Sequence, residues 1–311
     1  MKVLVAGGTG FIGGLLVRRL IVDGHQATVL TRNPSGKHRS IQPALEVVGW
    51  DASSLGPWAS RVPDVDAVIN LVGEPIGEKR WTNAQKERIS RSRIGATRAL
   101  VEAIGQAKRK PTVLVNASAV GYYGNTGEEE VCEDHPKGTG FLADLCERWE
   151  QEAKEAVGSG VRTVLLRTGI VLGERGGVLR RMVPAFKFLV GGPLGSGTQW
   201  FPWIHRDDVI GVILFTLSAP GLSGPANLVA PQSVTMGQFC SELGRVLHRP
   251  SWLRVPGFAL RLAFGEMAGM MLEGQRVVPS VLRKSGYPFR YPTLRSALED
   301  TVGSHVGITT T

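Results

Sequence analysis

The sequence is poor in cysteine, in aromatic residues and in long apolar runs. Of its 311 residues, three are cysteine and 7% are aromatic. Cys132, Cys146 and Cys240 are far apart and fit neither a metal-ligand spacing nor a disulfide framework. We therefore expect no metal site, a reducing compartment and cysteines that pack as small residues.

No apolar run approaches the roughly 18 residues that a membrane-spanning helix needs. A strand-like segment begins at Lys2 and leaves no room for a cleaved leader. We therefore expect a cytoplasmic protein without a membrane partner.

A basic arm is also missing, although the formal net charge is +9. The basic residues are spread, with small clusters at 88–93, 108–110 and 180–181. This distribution is typical of solvated helix faces, so we expect no nucleic-acid partner and treat nucleic-acid binding as a distant alternative. An anionic phosphate ligand accounts for some of the charge.

The first half alternates short β-rich runs with helical periods. Predicted strands are 2–6, 26–31, 45–48, 65–72, 112–118 and 161–167, and predicted helices are 11–23, 84–108 and 140–157. Strands rich in Val, Leu and Ile that alternate with helices predict a parallel sheet covered on both faces. The expected fold class is α/β, a Rossmann-like doubly wound parallel sheet with a smaller C-terminal α+β lobe.

After Arg167 the sequence becomes rich in Gly and Pro, and helical periods return at 206–218, 235–247, 256–273 and 293–301. The segment 225–230 is a candidate strand that returns to the first lobe. We predict a dinucleotide-binding domain at 1–167 with a return near 205–230. A substrate lobe is predicted at 168–204 and 231–303.

Glycines cluster between the first strand and the first helix. Gly7, Gly10 and Gly13 follow 2–6 and open an apolar helical period. A tight turn, close approach of the main chain to a diphosphate and close helix–strand packing each require a residue without Cβ. Free N–H groups at the helix N-terminus favour phosphate there. The pattern therefore predicts a dinucleotide site, with a merely structural turn as the alternative.

The end of the second strand indicates which dinucleotide is bound. NAD-binding proteins usually place Asp or Glu there to hold the ribose hydroxyls. This sequence has Arg32 and no acid beside it. A guanidinium pairs with a 2′-phosphate, so we predict NADP, unless Arg32 points elsewhere.

Several longer motifs resemble those of a known family. The stretches 7–13 (GGTGFIG), 70–74 (NLVGE), 118–124 (SAVGYYG) and 167–173 (RTGIVLG) resemble extended short-chain dehydrogenase/reductases. The stretches 73–82, 191–208 and 271–279 resemble its atypical branch, the SDR39U1-type epimerase family proteins. The resemblance implies a Rossmann domain that binds NADP and a small C-terminal domain.

The resemblance also implies cofactor contacts along the carboxyl edge of the sheet. The diphosphate is expected at the glycine turn, the adenosine ribose and its phosphate at the second strand, and the rest of the cofactor beyond the fourth and sixth strands. The implied contacts are Gly7, Thr9, Gly10, Phe11, Ile12, Gly13, Thr31, Arg32, Leu71, Val72, Gly73, Arg93 and Val171. Arg93 is equally compatible with a solvent-facing helical position.

The family's usual Tyr and Lys, four residues apart on one helix, are missing. The helix 140–157 has Leu142 and Cys146 in the nearest frame, and Phe141 and Leu145 in the next. Neither leucine nor cysteine can replace the pair. Cofactor binding is therefore the safer inference, and catalysis requires another proton donor.

Tyr123, close to Ser118 at the end of the fifth strand, is the predicted catalytic residue, and Ser118 is included in the site. A tyrosine of the core or of the pocket wall is the alternative for Tyr123, with a bound water as the acid. Glu74 and His205 are further candidates, although each also suits a structural role. Trp200, Phe201 and Trp203 are candidates for the wall of an apolar pocket or for the core.

We therefore expect an NADP-dependent oxidoreductase or epimerase that acts on an unknown small carbonyl or sugar-like substrate. A non-catalytic, NADP-responsive regulator or scaffold is the alternative. Either a monomer or a homodimer is compatible with the sequence.

Overall fold

The computed structural model describes residues 1–34, 44–174 and 176–303. The strands are β1 (Lys2–Ala6), β2 (Gln26–Thr31), β3 (Leu45–Gly49), β4 (Ala67–Asn70), β5 (Val113–Ala119), β6 (Glu130–Val131), β7 (Arg162–Thr168), β8 (Ile170–Leu172), β9 (Trp203–His205), β10 (Gly224–Leu228) and β11 (Arg276–Val277). The helices are α1 (Gly13–Val22), α2 (Asn83–Gln106), α3 (Phe141–Lys154), α4 (Leu179–Lys187), α5 (Arg206–Ser218), α6 (Met236–Leu247), α7 (Gly257–Phe264), α8 (Gly269–Leu272), α9 (Ser280–Lys284) and α10 (Leu294–Val302).

Seven parallel strands form the main sheet in the order β10-β7-β5-β4-β1-β2-β3. The predicted Rossmann-like fold class is confirmed. The expected return strand is also confirmed, because β10 pairs in parallel with β7 at the sheet edge. Since all strands run the same way, their carboxyl ends share one edge, where ligands of open α/β sheets bind.

Helices cover both faces of this sheet because its strands are apolar on both sides. All four residues of β4 and the last four residues of β1 are buried. One apolar cluster joins α1 and α5 to one face, and a second joins α2 to the other face. These two layers hold the carboxyl ends of the strands in a fixed register.

A third apolar cluster lies in the C-terminal part of the chain. It joins α4, α6 and α10 around Phe186, Phe201, Phe239 and Trp203. Two short parallel pairs, β6 with β11 and β8 with β9, connect this part to the loops at the sheet edge. The predicted domain boundaries stay a prediction.

The helical period predicted at 256–273 is helical in the structure but does not form one continuous α-helix. The chain instead forms α7, a 3₁₀ helix (Gly265–Ala268) and α8. Gly265 has a φ of +60°, a left-handed conformation that ends an α-helix.

Within the described ranges, no helix combines the length and the apolar content that a membrane crossing requires.

Candidate functional site

The glycine turn after β1 is as tight as the sequence predicts. Gly7 has a φ of +81°, and a Cβ there would lie 2.9 Å from the carbonyl carbon of Leu71. At Gly13 a Cβ would clash with the carbonyl oxygen of Gly7. These two positions therefore require glycine to bring α1 against the ends of β1 and β4.

The N-terminus of α1 presents unpaired donors at this turn. The N–H groups of Phe11, Ile12 and Gly13 have no acceptor among the described residues, and no side chain caps the helix. A Cβ at Gly10 would approach only the Gly7 carbonyl oxygen, at 3.4 Å, so the space beside Gly10 is open. Thr9 is exposed next to it. The turn therefore fits an anionic diphosphate.

The ring of Phe11 packs against the segment that follows β8. A Cβ at Gly176 would overlap the Phe11 ring, and one at Gly177 would meet the carbonyl oxygen of Val171 at 2.6 Å. The segment that follows β8 therefore lies against the turn. Val171 itself is half-buried in β8.

Arg32 and Thr31 stand at the carboxyl end of β2. The Oγ1 atom of Thr31 accepts the N–H of Asn33 at 3.3 Å, and Arg32 is exposed. Arg32 has no ion pair within the part of the chain that the structure describes. None of the described residues therefore competes with an added anion for its guanidinium.

The end of β4 is held by Arg93 of α2. The Nη1 atom of Arg93 donates to the Glu74 carbonyl oxygen at 3.0 Å, and a Cβ at Gly73 would lie 2.9 Å from its Cζ atom. Ser92 accepts the Glu74 N–H at 2.9 Å. Burial lowers the pKa of Arg93, and the Glu74 charge opposes that shift. Arg93 therefore lies beside Gly73 rather than on a solvent-facing helix surface.

The helix that lacks the Tyr–Lys pair packs on the end of β5. A Cβ at Gly121 would meet the Leu142 Cβ atom at 3.1 Å, which places Leu142 against the 3₁₀ helix Val120–Tyr123. Burial raises the pKa of the Cys146 thiol to about 12, so Cys146 is neutral near pH 7. Neither residue supplies a proton donor suited to neutral pH.

The placement of Tyr123 and Ser118 argues against the predicted catalytic role. The Tyr123 hydroxyl donates to Oδ1 of Asn227 at 2.6 Å and accepts from Nη1 of Arg167 at 2.9 Å. Tyr123 is 1% exposed, and burial raises its pKa to about 12. Ser118 is also buried and donates to Glu150 at 2.7 Å. Both hydroxyls serve a buried network rather than an open crevice.

Arg167 is the centre of this network. It forms a bidentate pair with Glu150, with N–O distances of 2.8 and 2.9 Å, and its Cζ atom lies 3.6 Å from the ring centroid of Tyr122. Burial alone would lower the pKa of Arg167, but the Glu150 carboxylate holds it above its ordinary value. Glu133 accepts the backbone N–H of Asn227 at 3.0 Å. The network therefore ties β5, β7 and β10 together.

His205, Phe201 and Trp203 have structural roles in the folded chain. His205 is fully buried, and its Nδ1 atom accepts the N–H of Asp207 at 3.2 Å, which caps α5. Phe201 and Trp203 are buried in the third apolar cluster. Trp200 is half-buried and donates its indole N–H to Glu128 at 3.1 Å. The core interpretation therefore holds for Phe201 and Trp203.

Comparison with known proteins places this geometry in a family. Residues 3–228 match the model of the NAD dependent epimerase/dehydratase family. Residues 255–301 match a domain of unknown function, DUF1731. The first match spans more than half of the chain and ends with β10.

Individual relatives are similar over almost the full length. An Arabidopsis thaliana protein described as an epimerase family protein SDR39U1 homolog, chloroplastic, is 45% identical and is matched over 96% of this chain and 86% of its own. The crystal structure of human SDR39U1, isoform 2, with NADPH is 35% identical and has a TM-score of 0.89, with coverage of 98% and 99%. A nucleoside-diphosphate sugar epimerase from Corynebacterium glutamicum is 29% identical, with a TM-score of 0.76 and coverage of 98% and 58%.

Proposed function

Because the chain belongs to the NAD-dependent epimerase/dehydratase family, and within it resembles SDR39U1, we propose that it binds NADP(H) and acts as an oxidoreductase or epimerase on a small carbonyl or sugar-like substrate. The observation that carries the proposal is the set of unpaired N–H groups at Phe11, Ile12 and Gly13 beside the open face of Gly10. The human relative crystallised with NADPH supports the choice of cofactor.

Residues of this chain would hold the cofactor mainly through its negatively charged phosphate groups. The backbone N–H groups of the glycine turn would donate to the diphosphate, and Arg32 would pair with the 2′-phosphate. Leu71, Val72 and Gly73 would line the cofactor at the end of β4. Bound nicotinamide supplies the hydride that is given or taken. The chain contributes by positioning the substrate against the cofactor. Good positioning of reacting groups can lower an activation barrier by about 7–11 kcal/mol.

Glu74 is our candidate for proton exchange, directly or through a water that it holds. It follows the Gly73 edge, is half-buried and interacts with the charge of Arg93. We prefer Glu74 to Tyr123, because the Tyr123 hydroxyl already has two partners in the buried network.

A substrate panel tests the proposed reaction. NADPH is mixed with aldehydes and ketones, and its oxidation is followed by absorbance. NADP+ is mixed with nucleoside-diphosphate sugars, and their epimerisation is followed by NMR. We expect turnover with at least one class, and a loss of about 10²–10⁴-fold in Glu74→Gln with NADPH affinity retained. Activity that is unchanged in Glu74→Gln would remove this residue from the mechanism.

A non-catalytic regulator is the second candidate function. It is favoured by Leu142 and Cys146, which offer no proton donor on α3. Tight NADPH binding with no turnover across the whole panel would support it over the enzyme.

The cytoplasmic location also stays a proposal, and the Arabidopsis relative carries the word chloroplastic in its name.

A further inference from the structure

Large apolar side chains are exposed together in the C-terminal part of the chain. Each of seven such residues exposes between 40% and 80% of its surface. We call them the apolar patch: Phe188, Leu189, Val190, Trp252, Leu253, Phe258 and Leu262. Apolar side chains scattered singly need no explanation, but a cluster of this kind marks a contact surface.

Two of its segments run side by side. The Trp252 indole donates to the Leu189 carbonyl oxygen at 3.1 Å, and the Trp252 backbone N–H donates to Gly191 at 3.2 Å. Val255 donates to Pro193 at 3.0 Å, which extends the pairing. Phe188–Val190 and Trp252–Leu253 therefore form one continuous surface.

The third segment, α7, starts next to this pairing. The Leu272 side chain lies close to both Gly195 and Gly257, which joins the loop to the first turn of α7. Phe258 and Leu262 are four residues apart and share one helix face, whereas Leu260 is buried. α7 therefore adds an outward apolar ridge to the patch.

The two chain segments that carry the patch contain cations but no acids. Neither 178–204 nor 245–264 contains Asp or Glu. The exposed cations that stand within three residues of a patch residue in the sequence are Lys187, Arg249, Arg254 and Arg261. A surface of Trp, Phe and Leu flanked by cations is complementary to a lipid bilayer with anionic headgroups. The apolar side chains suit the acyl-chain boundary, and the cations suit the headgroups.

We propose that the apolar patch docks on an anionic membrane surface. A second copy of the chain would bring the same cations together, which costs free energy, whereas anionic lipid neutralises them. A peripheral contact needs no spanning helix, so the proposal replaces the expectation of no membrane partner, which rested on spanning runs alone. It is independent of the proposed catalytic function.

Vesicle sedimentation of the full chain tests this proposal. The probes are phosphatidylcholine vesicles with and without phosphatidylglycerol. We expect binding only to the anionic vesicles. Added salt should weaken this binding, because it screens the attraction between the exposed cations and the lipid headgroups. The double variant Trp252→Ser, Phe258→Ser should bind about tenfold more weakly, because two apolar side chains no longer enter the interface.

Val22→Ser is the matched control, because Val22 is 81% exposed on α1 outside the patch. Circular dichroism on heating checks that all variants fold. Equal binding by wild type and the double variant would overturn the proposal. So would a dimer in analytical ultracentrifugation that the double variant dissociates without any lipid binding. Salt-dependent binding to duplex DNA with no vesicle binding would overturn it as well.

Discussion

At the scale of single residues, the crevice contains two arginines in different states, one exposed and one held by hydrogen bonds. Arg32 is exposed without an ion pair among the described residues, whereas Arg93 donates to Glu74 and lies against Gly73. We therefore expect an added phosphate to pair with Arg32 more fully than with Arg93. We propose that Arg32 carries the preference for NADP over NAD.

Arg32→Ala should weaken NADP binding far more than NAD binding. Hydrogen bonds to a charged group contribute about 1.5–3 kcal/mol, which predicts a loss of about 10- to 100-fold for NADP. Calorimetric titration with both dinucleotides measures the two affinities. Equal losses for NADP and NAD would refute the assignment of the 2′-phosphate to Arg32.

Tyr123→Phe should act on stability rather than on turnover. The change leaves Oδ1 of Asn227 and Nη1 of Arg167 without their shared hydroxyl, in a buried site. Leaving buried partners unsatisfied costs about 1–3 kcal/mol, which urea unfolding measures. Lost turnover with unchanged unfolding free energy would restore Tyr123 as a catalytic residue.

The sequence predicts the glycine turn but not this network. Gly7, Gly10 and Gly13 are close in sequence, and their spacing alone implies their common geometry. Tyr123 and Asn227 are 104 residues apart, so their hydrogen bond arises from tertiary structure. A sequence signal for the network is the presence of polar residues within largely apolar strands: Arg167 in β7 and Asn227 in β10.

At the scale of elements, strands and long helices follow the sequence closely. α2 begins at Asn83 because the Thr82 side chain accepts the Gln85 N–H at 3.2 Å, within one residue of the predicted start. The break inside the helical segment 256–273 has a local cause, because the apolar composition continues through Gly265 while the backbone there has a positive φ. Composition alone does not reveal that turn.

The cap of α5 should make stability depend on pH. Burial lowers the pKa of His205, although Asp207 and Asp300 oppose the shift. The unfolded chain, with a His pKa of about 6.5, therefore binds a proton that the folded chain does not, and stability falls as pH drops below that value. Protonation also removes the Nδ1 acceptor of the Asp207 N–H.

His205→Asn should keep a capping acceptor and lose this pH dependence. We expect the unfolding free energy of wild type to fall more steeply than that of the variant between about pH 6.5 and 5, at most by about 1.4 kcal/mol per pH unit. Urea unfolding across this range measures both slopes. Parallel slopes would mean that His205 does not contribute.

At the scale of the whole molecule, the parallel sheet brings distant segments to one edge. The turn after β1, Arg32 after β2 and Gly73 after β4 meet there because every strand of the sheet runs the same way. The alternation of strands and helices predicts this arrangement. The C-terminal part is harder to predict, since β6 and β11 are two residues each and pair across the chain.

Calorimetric titration of NADPH into wild type, Gly10→Ala and Gly105→Ala tests the central claim most directly. A Cβ at Gly10 enters the open face of the turn without a clash, and one at Gly105 meets only Ser159 Oγ at 3.7 Å, near the far end of α2. We predict tight binding by wild type and Gly105→Ala, and a loss of at least about tenfold in Gly10→Ala. No binding by wild type, or equal binding by all three proteins, would contradict an NADP site at the glycine turn.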